Sequence, residues 1–431
     1  MIDRIKIKSV KEHIGKEINI AGFVHTLRDQ SKIAFINIRD ISGMIQVVVL
    51  KDCPDFEKVK DISTESFVVI NGLVKEEKQA PSGFEIEARS ISILSKADPE
   101  LAIPVEIRKG GEETNVVSRF DYRWLDIRKP RNTQIFKVWT ALEKGMRSYF
   151  DKEEFLQVYT PSFMSSASET GADVFEVQYF EKKAYLAQSP QFYKQMAIAS
   201  GLERVFINGT VFRAEQSFTT RHMTEFTGWD FEISLVESHH DVMDMEEQMI
   251  ISAFEQLKKD IPELEVSIPT APFPRIPIKE VKEKLKAAGI QSGEEHDLSP
   301  EEERGICKLV KEETGSDFVF ITDYHISKRP FYHMRHEDNP ELTKSADLLY
   351  KGLEITTLAQ REHRPEILKA QAIEKKMDLD ELSDYMNFFR YGCPPHGGGG
   401  IGPSRLIMRL LELDSVKEAT FLPRDVNRLT P

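Results

Sequence analysis

Between residues 17 and 95, apolar and polar side chains alternate in five separate runs, and this rhythm is the tightest constraint on how the chain can fold. A period of two sends successive side chains to opposite faces, the pattern of a β-strand with one face in a core. The runs are EINIAGFVHTL, KIAFINIRD, MIQVVVL, SFVVINGLV and GFEIEARSISIL, with the turn Ile41-Ser42-Gly43 between the second and third. Five strands in so short a stretch predict a small barrel. An OB-fold is the natural candidate, because it is five-stranded and often binds oligonucleotides.

The same alternation sorts side chains by face. Ala34, Ile36 and Ile38 point inward, which turns Phe35 and Asn37 outward. Ile45, Val47 and Val49 leave Gln46 outside, Phe84, Ile86 and Ala88 leave Glu85 and Glu87 outside, and parity places His25 outside as well. An exposed aromatic among amide, acid and imidazole groups suits single-stranded bases, which stack on rings and are read at their edges by hydrogen bonds. The alternative is that Phe35 is a scattered surface aromatic or covers a domain interface.

Beyond the barrel, 431 residues are too many for one core. The expected organisation is a barrel domain over 1–98, a charged, turn-rich linker or hinge over 99–130, and a larger α+β domain over 131–431. That domain opens with an amphipathic helix, TQIFKVWTALEKGMRSYFDKE, whose Ile135, Val138, Trp139, Leu142 and Met146 recur at helical spacing. Strands then alternate with helices through AYLAQSP, RVFINGTVFRAE and TGWDFEIS, and a Lys- and Glu-rich stretch at about 260–315 reads as an inserted helical subdomain. There is no P-loop or dinucleotide-binding fingerprint, so any ATP site is of another kind.

Charge and cysteine usage narrow the class. The net charge is -13, yet the first 100 residues carry 15 Lys+Arg against 16 Asp+Glu, so RNA contact is least opposed there. Cys53, Cys307 and Cys393 lack paired metal-ligand spacing and read as reduced thiols. No apolar run approaches the roughly 20 residues that span a bilayer, and the start, MIDRIKIKSVKEHIGKE, is charged where a signal peptide is apolar. A cytoplasmic protein with no membrane partner is expected.

Three segments carry the chemistry. GTVFRAEQSFTTRHMTEFTGWDFE reads as a strand, a loop and an antiparallel return; Arg213, Glu215, Arg221 and His222 surround the loop, and Phe226 and Asp230 follow on the return. Such a loop would set cations over phosphates with an aromatic ready for a purine, although a salt-bridged hairpin would read the same way. PPHGGGGIGPSRL reads as a glycine-rich turn placing Arg405 at a helix start, where dipoles favour anions, or as a simple helix entry. GLEITTLAQREH carries Glu354, Thr357 and Arg361; if extended, it could hold an acid for a metal and a base for a carboxylate, as could a surface strand.

Together these segments resemble the signature motifs of class II aminoacyl-tRNA synthetases. YLAQSPQFYKQ, FRAEQSFTTRHMTEFTGWD, YGCPPHGGGGIGPSR and FLPRDVNRLTP are similar to aspartyl-tRNA synthetases of the archaeal and eukaryotic type, from end to end of the chain. The resemblance implies an antiparallel sheet flanked by helices, behind an anticodon-binding OB-fold, in a homodimer whose interface includes FLQVYTP with Pro161. It implies that Arg213 binds the ATP α-phosphate and the aspartate carboxylate, with Ala214 and Glu215 beside the nucleotide and Arg221, His222 and Met223 in the ATP loop. Phe226 would stack on adenine, and Arg405, preceded by Gly402, Pro403 and Ser404, would cover the other face or the γ-phosphate. Glu354 and Thr357 match the Mg²⁺ positions, and Asp230 one near the substrate amino group. Arg361 and Lys194, helped by Gln191, would clamp the aspartate side chain, and Glu169 lies in the matching loop that closes on the substrate. On the barrel, His25, Arg28, Phe35, Gln46, Pro81 and Glu85 are the implied anticodon contacts.

The implied reaction joins L-aspartate to ATP as aspartyl-adenylate, releases pyrophosphate, and transfers aspartate to the 3′ end of tRNA-Asp. His25 and Pro81 resemble the non-discriminating members, which also charge tRNA-Asn; Pro81 could instead simply rigidify the QAPSG turn. Whether an amidotransferase acts downstream is left open. Departures from the pattern are Ser404 where an acid is common, Leu358 and Ala359 where glycines are common, and Glu154 where the first motif often has glycine. Rivals within the class are a discriminating aspartyl enzyme and an asparaginyl-tRNA synthetase, with Lys194, Arg361 and the RLTP ending favouring aspartate; outside it stand a non-catalytic RNA-binding protein on the same fold and a tRNA-independent amide-forming enzyme, the latter disfavoured by the intact barrel.

Overall fold

A computed structural model describes residues 2–106, 111–165, 174–216, 219–290 and 293–431. The chain divides into two compact units, residues 1–133 and 134–431.

In the first unit β1 (Glu17–Asp29), β2 (Ile33–Asp40), β3 (Gly43–Leu50), β4 (Phe67–Glu76) and β5 (Phe84–Ser95) close a barrel in the order β1-β2-β3-β5-β4. Its interior is the inward set of the alternation: Ala34, Ile36, Ile38, Val47 and Ile86 are fully buried. One residue breaks the rhythm. The register of β1 against β2 slips between Val24 and Thr26, so His25 stands unpaired in a bulge. A bulged residue loses the parity of its strand, and His25 is half-buried instead of projecting freely, its Nδ1 taking a hydrogen bond from the buried Arg39 at 2.7 Å. Two short helices, α1 (Val116–Asp121) and α2 (Arg123–Asp126), occupy the expected linker. There the fully buried Asp126 gathers Arg119, Arg123 and Lys129 at 2.6–3.1 Å.

The second unit takes up α3 (Pro130–Lys152) and builds on an eight-stranded sheet. Its strands are β6 (Leu156–Gln157), β10 (Arg204–Phe212), β11 (Glu225–Ser234), β12 (Arg275–Pro277), β13 (Phe318–Thr322), β14 (Ser345–Tyr350), β15 (Leu353–Gln360) and β16 (His396–Ile401), in the order β12-β13-β14-β15-β16-β11-β10-β6. Pairing is antiparallel except at the two edges. A separate small sheet joins β7 (Phe163–Met164), β9 (Lys182–Leu186) and β8 (Glu176–Tyr179).

Helices α3, α5 (His239–Asp260) and α10 (Pro403–Leu410) supply the main core against this sheet, with Val138, Leu142, Met146, Met249, Phe254 and Leu406 packed on Trp229, Phe231 and Leu348. The Lys- and Glu-rich stretch forms α6 (Ile278–Ala287) and α7 (Pro300–Thr314), whose Val281, Leu285, Ile306 and Val310 pack on Val319 and Ile321 of β13. Helix α7 starts at a Ser299/Glu302 capping box, a reciprocal pair that satisfies two orphan N–H groups. After α3, Glu154 has φ +60°, which explains why glycine suits that position. Helix α4 (Gln191–Ala199) and the late helices α8 (Pro365–Glu374) and α9 (Ser383–Phe389) share a further cluster around Phe192 and Tyr385.

The glycine run is not a turn. It is β16, between β11 and β15. A Cβ at Gly398 would overlap both the Glu232 carboxylate and the Phe231 carbonyl, and one at Gly400 would lie 3.0 Å from Asp230 Oδ1. These glycines make room for acids of the same protein, so close ligand approach is not needed to account for them.

Candidate active site

Strands β10 and β11 pair from Arg204↔Ile233 to Phe212↔Glu225, and the loop between them is closed at its mouth by Arg213 N donating to Thr224 O at 2.9 Å. The Arg213 guanidinium lies 5.6 Å from the centre of the Phe226 ring and 3.9 Å from Glu215 Oε1. Within the loop, Arg221 is held by both oxygens of Glu303 on α7 at 3.0 Å. Burial, then the charge of Arg405, lowers the His222 pKa. Met223 is buried in the main core.

Strand β15 brings the next group. Its register against β14 jumps from Leu348↔Thr356 to Leu349↔Glu354, leaving Ile355 as a bulge. Glu354 and Thr357, three apart, therefore both line one cavity. Arg405, at the start of α10, donates to the Glu354 backbone oxygen and to its Oε1, each at 3.0 Å. The Thr357 hydroxyl donates to Asp347 Oδ1 at 2.8 Å, while Arg329 holds the other Asp347 oxygen at 2.6 Å. Burial, reinforced by Asp347, raises the Glu354 pKa against the pull of Arg405. Burial likewise raises Glu303 despite Arg221. Among the described residues no three acidic, His or Cys side chains form a metal centre by themselves.

Deeper in the same wall, two cations meet two acids. Lys194, on α4, is almost wholly buried; it donates to Asp230 Oδ1 at 2.8 Å and Gly399 O at 2.9 Å, and lies 3.4 Å from Glu232 Oε2. Arg361 Nε donates to Glu232 Oε1 at 2.9 Å, Nη2 to Gly398 O at 2.7 Å, and Nη1 to His333 Nε2 at 3.0 Å. Burial alone would raise the Glu232 pKa, but Arg361 and then Lys194 outweigh it and hold the carboxyl below its ordinary value. Gln191 donates to Gln195, which also receives the Tyr385 hydroxyl and reaches His396 at 3.0 Å. Burial pushes His396 down to about 4.

A cavity of about 410 Å³ is lined by Gln191, Lys194, Arg213, Glu215, Arg221, His222, Met223, Phe226, Asp230, Glu354, Thr357, Arg361, Gly402, Ser404 and Arg405. Ala214 and Pro403 stand outside that lining, and Glu169 lies outside the described residues. Sequence reasoning missed Glu232, Glu303, Arg329, His333 and Asp347. For Asp347 and Glu232 a signal existed, since each is an acid within a run of otherwise buried strand residues. His333 and Glu303 had none, because both arrive from segments distant in sequence.

On the barrel, Gln46 Nε2 donates to Glu85 Oε2 at 2.8 Å, and Phe35, half-exposed on β2, pairs across the ladder with the exposed Arg28. Pro81 is exposed on the turn joining β4 to β5. Burial, then Arg39, lowers the His25 pKa.

Comparison with known proteins gives two family matches: tRNA synthetases class II (D, K and N) over residues 115–426, and the OB-fold nucleic acid binding domain over residues 18–94. The chain is 40% identical to the aspartate--tRNA(Asp/Asn) ligase of Aeropyrum pernix, covering 99% of this chain and 98% of that one. It is 38% identical to the aspartate--tRNA(Asp) ligase of Pyrococcus abyssi, covering 97% of each. Among solved structures, asparaginyl-tRNA synthetase from Pyrococcus horikoshii complexed with asparaginyl-adenylate superposes with a TM-score of 0.90 at 32% identity over the full length of both chains.

Proposed function

The chain belongs to the class II tRNA synthetases (D, K and N), and from that premise we propose that it activates L-aspartate with ATP and transfers it to tRNA-Asp and tRNA-Asn. The observation that carries the choice of amino acid is a charge balance. Lys194 and Arg361 face Asp230 and Glu232, so in the resting state these four charges cancel. A substrate ammonium group on Asp230 releases Lys194. Lys194 and Arg361 then oppose Glu232 alone, leaving one positive charge for the aspartate side chain. Asparagine brings a neutral amide, and a buried uncompensated charge is costly.

The remaining residues position and stabilise. Arg213 takes the α-phosphate and the reacting carboxylate, Phe226 stacks on the adenine, and Arg405 and Arg221 meet the outer phosphates. The aspartate α-carboxylate attacks the α-phosphorus in line, pyrophosphate leaves, and the terminal ribose hydroxyl of tRNA then captures the aspartyl group. No protein nucleophile is required, so the chain contributes orientation and charge stabilisation. Glu354, with Asp347 behind Thr357, would hold Mg²⁺. That ion binds through one or two carboxylates together with substrate phosphates, which fits the clustered acids of this wall, and it neutralises phosphate charge when bound.

The two tRNA acceptors are inferred from His25, held by Arg39 in the β1 bulge, and the exposed Pro81, which resemble the corresponding residues of the non-discriminating members. The Aeropyrum pernix and Pyrococcus abyssi relatives are named for different acceptors at nearly equal identity, so overall similarity does not choose between them and the reading rests on His25 and Pro81. An enzyme of this kind works in the cytoplasm as a homodimer; Leu156 and Tyr159 of the FLQVYTP segment are 51% and 80% exposed, apolar surface suited to a second subunit. Asp-tRNA-Asn made this way would need a downstream amidotransferase. No helix among the described residues is long and apolar enough to cross a membrane. The test is to offer aspartate and asparagine in turn with each tRNA transcript. Aspartylation of both tRNAs supports the proposal, and asparaginylation of tRNA-Asn alone contradicts it.

A further inference from the structure

Arg361 carries five N–H donors in a rigid planar fork. Nε is committed to Glu232 Oε1, Nη2 to Gly398 O and, at 3.4 Å, to Glu232 Oε2, and one hydrogen of Nη1 to His333 Nε2. That accounts for four of the five. The fifth, on Nη1, is the one left for a ligand in the cavity that both Arg361 and His333 line. The commitment to His333 is possible only while Nε2 keeps its lone pair, which places the ring proton on Nδ1. His333 is 1% exposed, and Nδ1 has no hydrogen-bond partner. Burial, and then the charge of Arg361, holds the ring pKa well below its ordinary value.

We propose that His333 is a positioning residue for amino-acid selection: as a neutral acceptor it takes one Arg361 Nη1 hydrogen and so aims the last one at the substrate side-chain carboxylate. This rests on the reading that Arg361 receives that carboxylate. An apolar ring at position 333 would leave Nη1 with two uncommitted hydrogens and a guanidinium free to pivot about its Glu232 contacts. A second cation there would repel Arg361. An amide oxygen placed where Nε2 now lies would do what the imidazole does. His333 thus acts through Arg361, so the signature is a change in aspartate binding without a change in the nucleotide step.

The test uses the full-length protein with His333→Phe, His333→Leu, His333→Gln and Arg361→Gln, measured by aspartate-dependent ATP–pyrophosphate exchange with KM and kcat separated. For His333→Phe, and for His333→Leu should the first fail to fold, the aspartate KM rises about tenfold, the cost of one misplaced hydrogen bond to a charged group. The ATP KM stays within twofold, and His333→Gln restores most of the aspartate KM. A merely structural role would lower the folded fraction and kcat in every variant and would leave the aspartate KM alone. The inference is overturned if the apolar variants keep the wild-type aspartate KM, or if Gln is as impaired as Phe. If Arg361→Gln itself leaves the aspartate KM unchanged, the underlying assignment of Arg361 falls with it. If Arg361→Gln raises the KM while His333→Phe does not, only the role of His333 is refuted.

Discussion

Glu354 and Thr357 are three residues apart on one β-strand, yet both line the same cavity, because the bulge at Ile355 reverses the side-chain parity between them. Regular alternation would have sent one of them into the core against α5. The bulge lets one strand present an acid beside Arg405 and a hydroxyl on Asp347.

Glu354→Gln should therefore separate activity from stability. Desolvation, with Asp347 adding to it, raises the carboxyl's pKa although the side chain is 37% exposed and bonded to Arg405, so its charge adds little to native-state stability at neutral pH. Pyrophosphate exchange is expected to fall by about 10² to 10³, the range for losing one preorganised electrostatic group. The thermal midpoint should hold or rise. A lower midpoint with exchange intact would show that the acid is structural.

The glycine strand makes a steric prediction. Gly398→Ala forces a methyl into the Glu232 carboxylate, which is pinned by Arg361, so about 2 kcal/mol or more of stability should be lost. Gly209→Ala on β10 meets nothing closer than 3.9 Å and serves as the tolerated control. Urea unfolding of the two variants distinguishes the sites.

Glu246 on α5 is fully buried, and burial, partly offset by the Thr356 hydroxyl and reinforced by Glu247, pushes its pKa up to about 8. A folded pKa above the unfolded one means the contribution is complete below about pH 4.5 and is lost as the pH rises through about 8. Glu246→Gln should thus match the wild type near pH 4.5 and exceed it by roughly 2 to 4 kcal/mol at pH 8. Denaturant unfolding across that range reads the difference, and a constant offset would mean that the carboxyl does not titrate.

Phe35→Ala addresses the barrel. A stacked base contributes about 1–3 kcal/mol, so kcat/KM for the tRNA should drop by about tenfold or more while exchange without tRNA holds. Equal loss in both assays would assign Phe35 a structural part.

Much of this was legible from residue order, and the physical reason is periodicity. The five barrel strands follow from alternation because each buries one face, and Phe35, Gln46 and Glu85 came out on the outer side for that reason. His25 escaped the same logic because a bulge leaves no mark in an alternating pattern. The glycine run was misread as a turn, since glycines that clear space for Glu232 and glycines that bend the chain look alike in sequence. The cavity's outer residues sit in three recognisable segments, whereas His333 and Glu303 reach it from elsewhere in the chain. The occupation of Lys194 and Arg361 by Asp230 and Glu232 was equally invisible, because it depends on strands β11, β15 and β16 lying side by side.

The central claim is that a site holding Lys194 and Arg361 against a single buried Glu232 selects an anionic side chain. It is tested most directly by ATP–pyrophosphate exchange of the full-length protein without tRNA, with aspartate or asparagine as the only amino acid. The account predicts exchange with aspartate and at least 10²-fold less with asparagine at the same concentration, as expected when a buried charge is left unpaired. Exchange supported by asparagine and not by aspartate would contradict it.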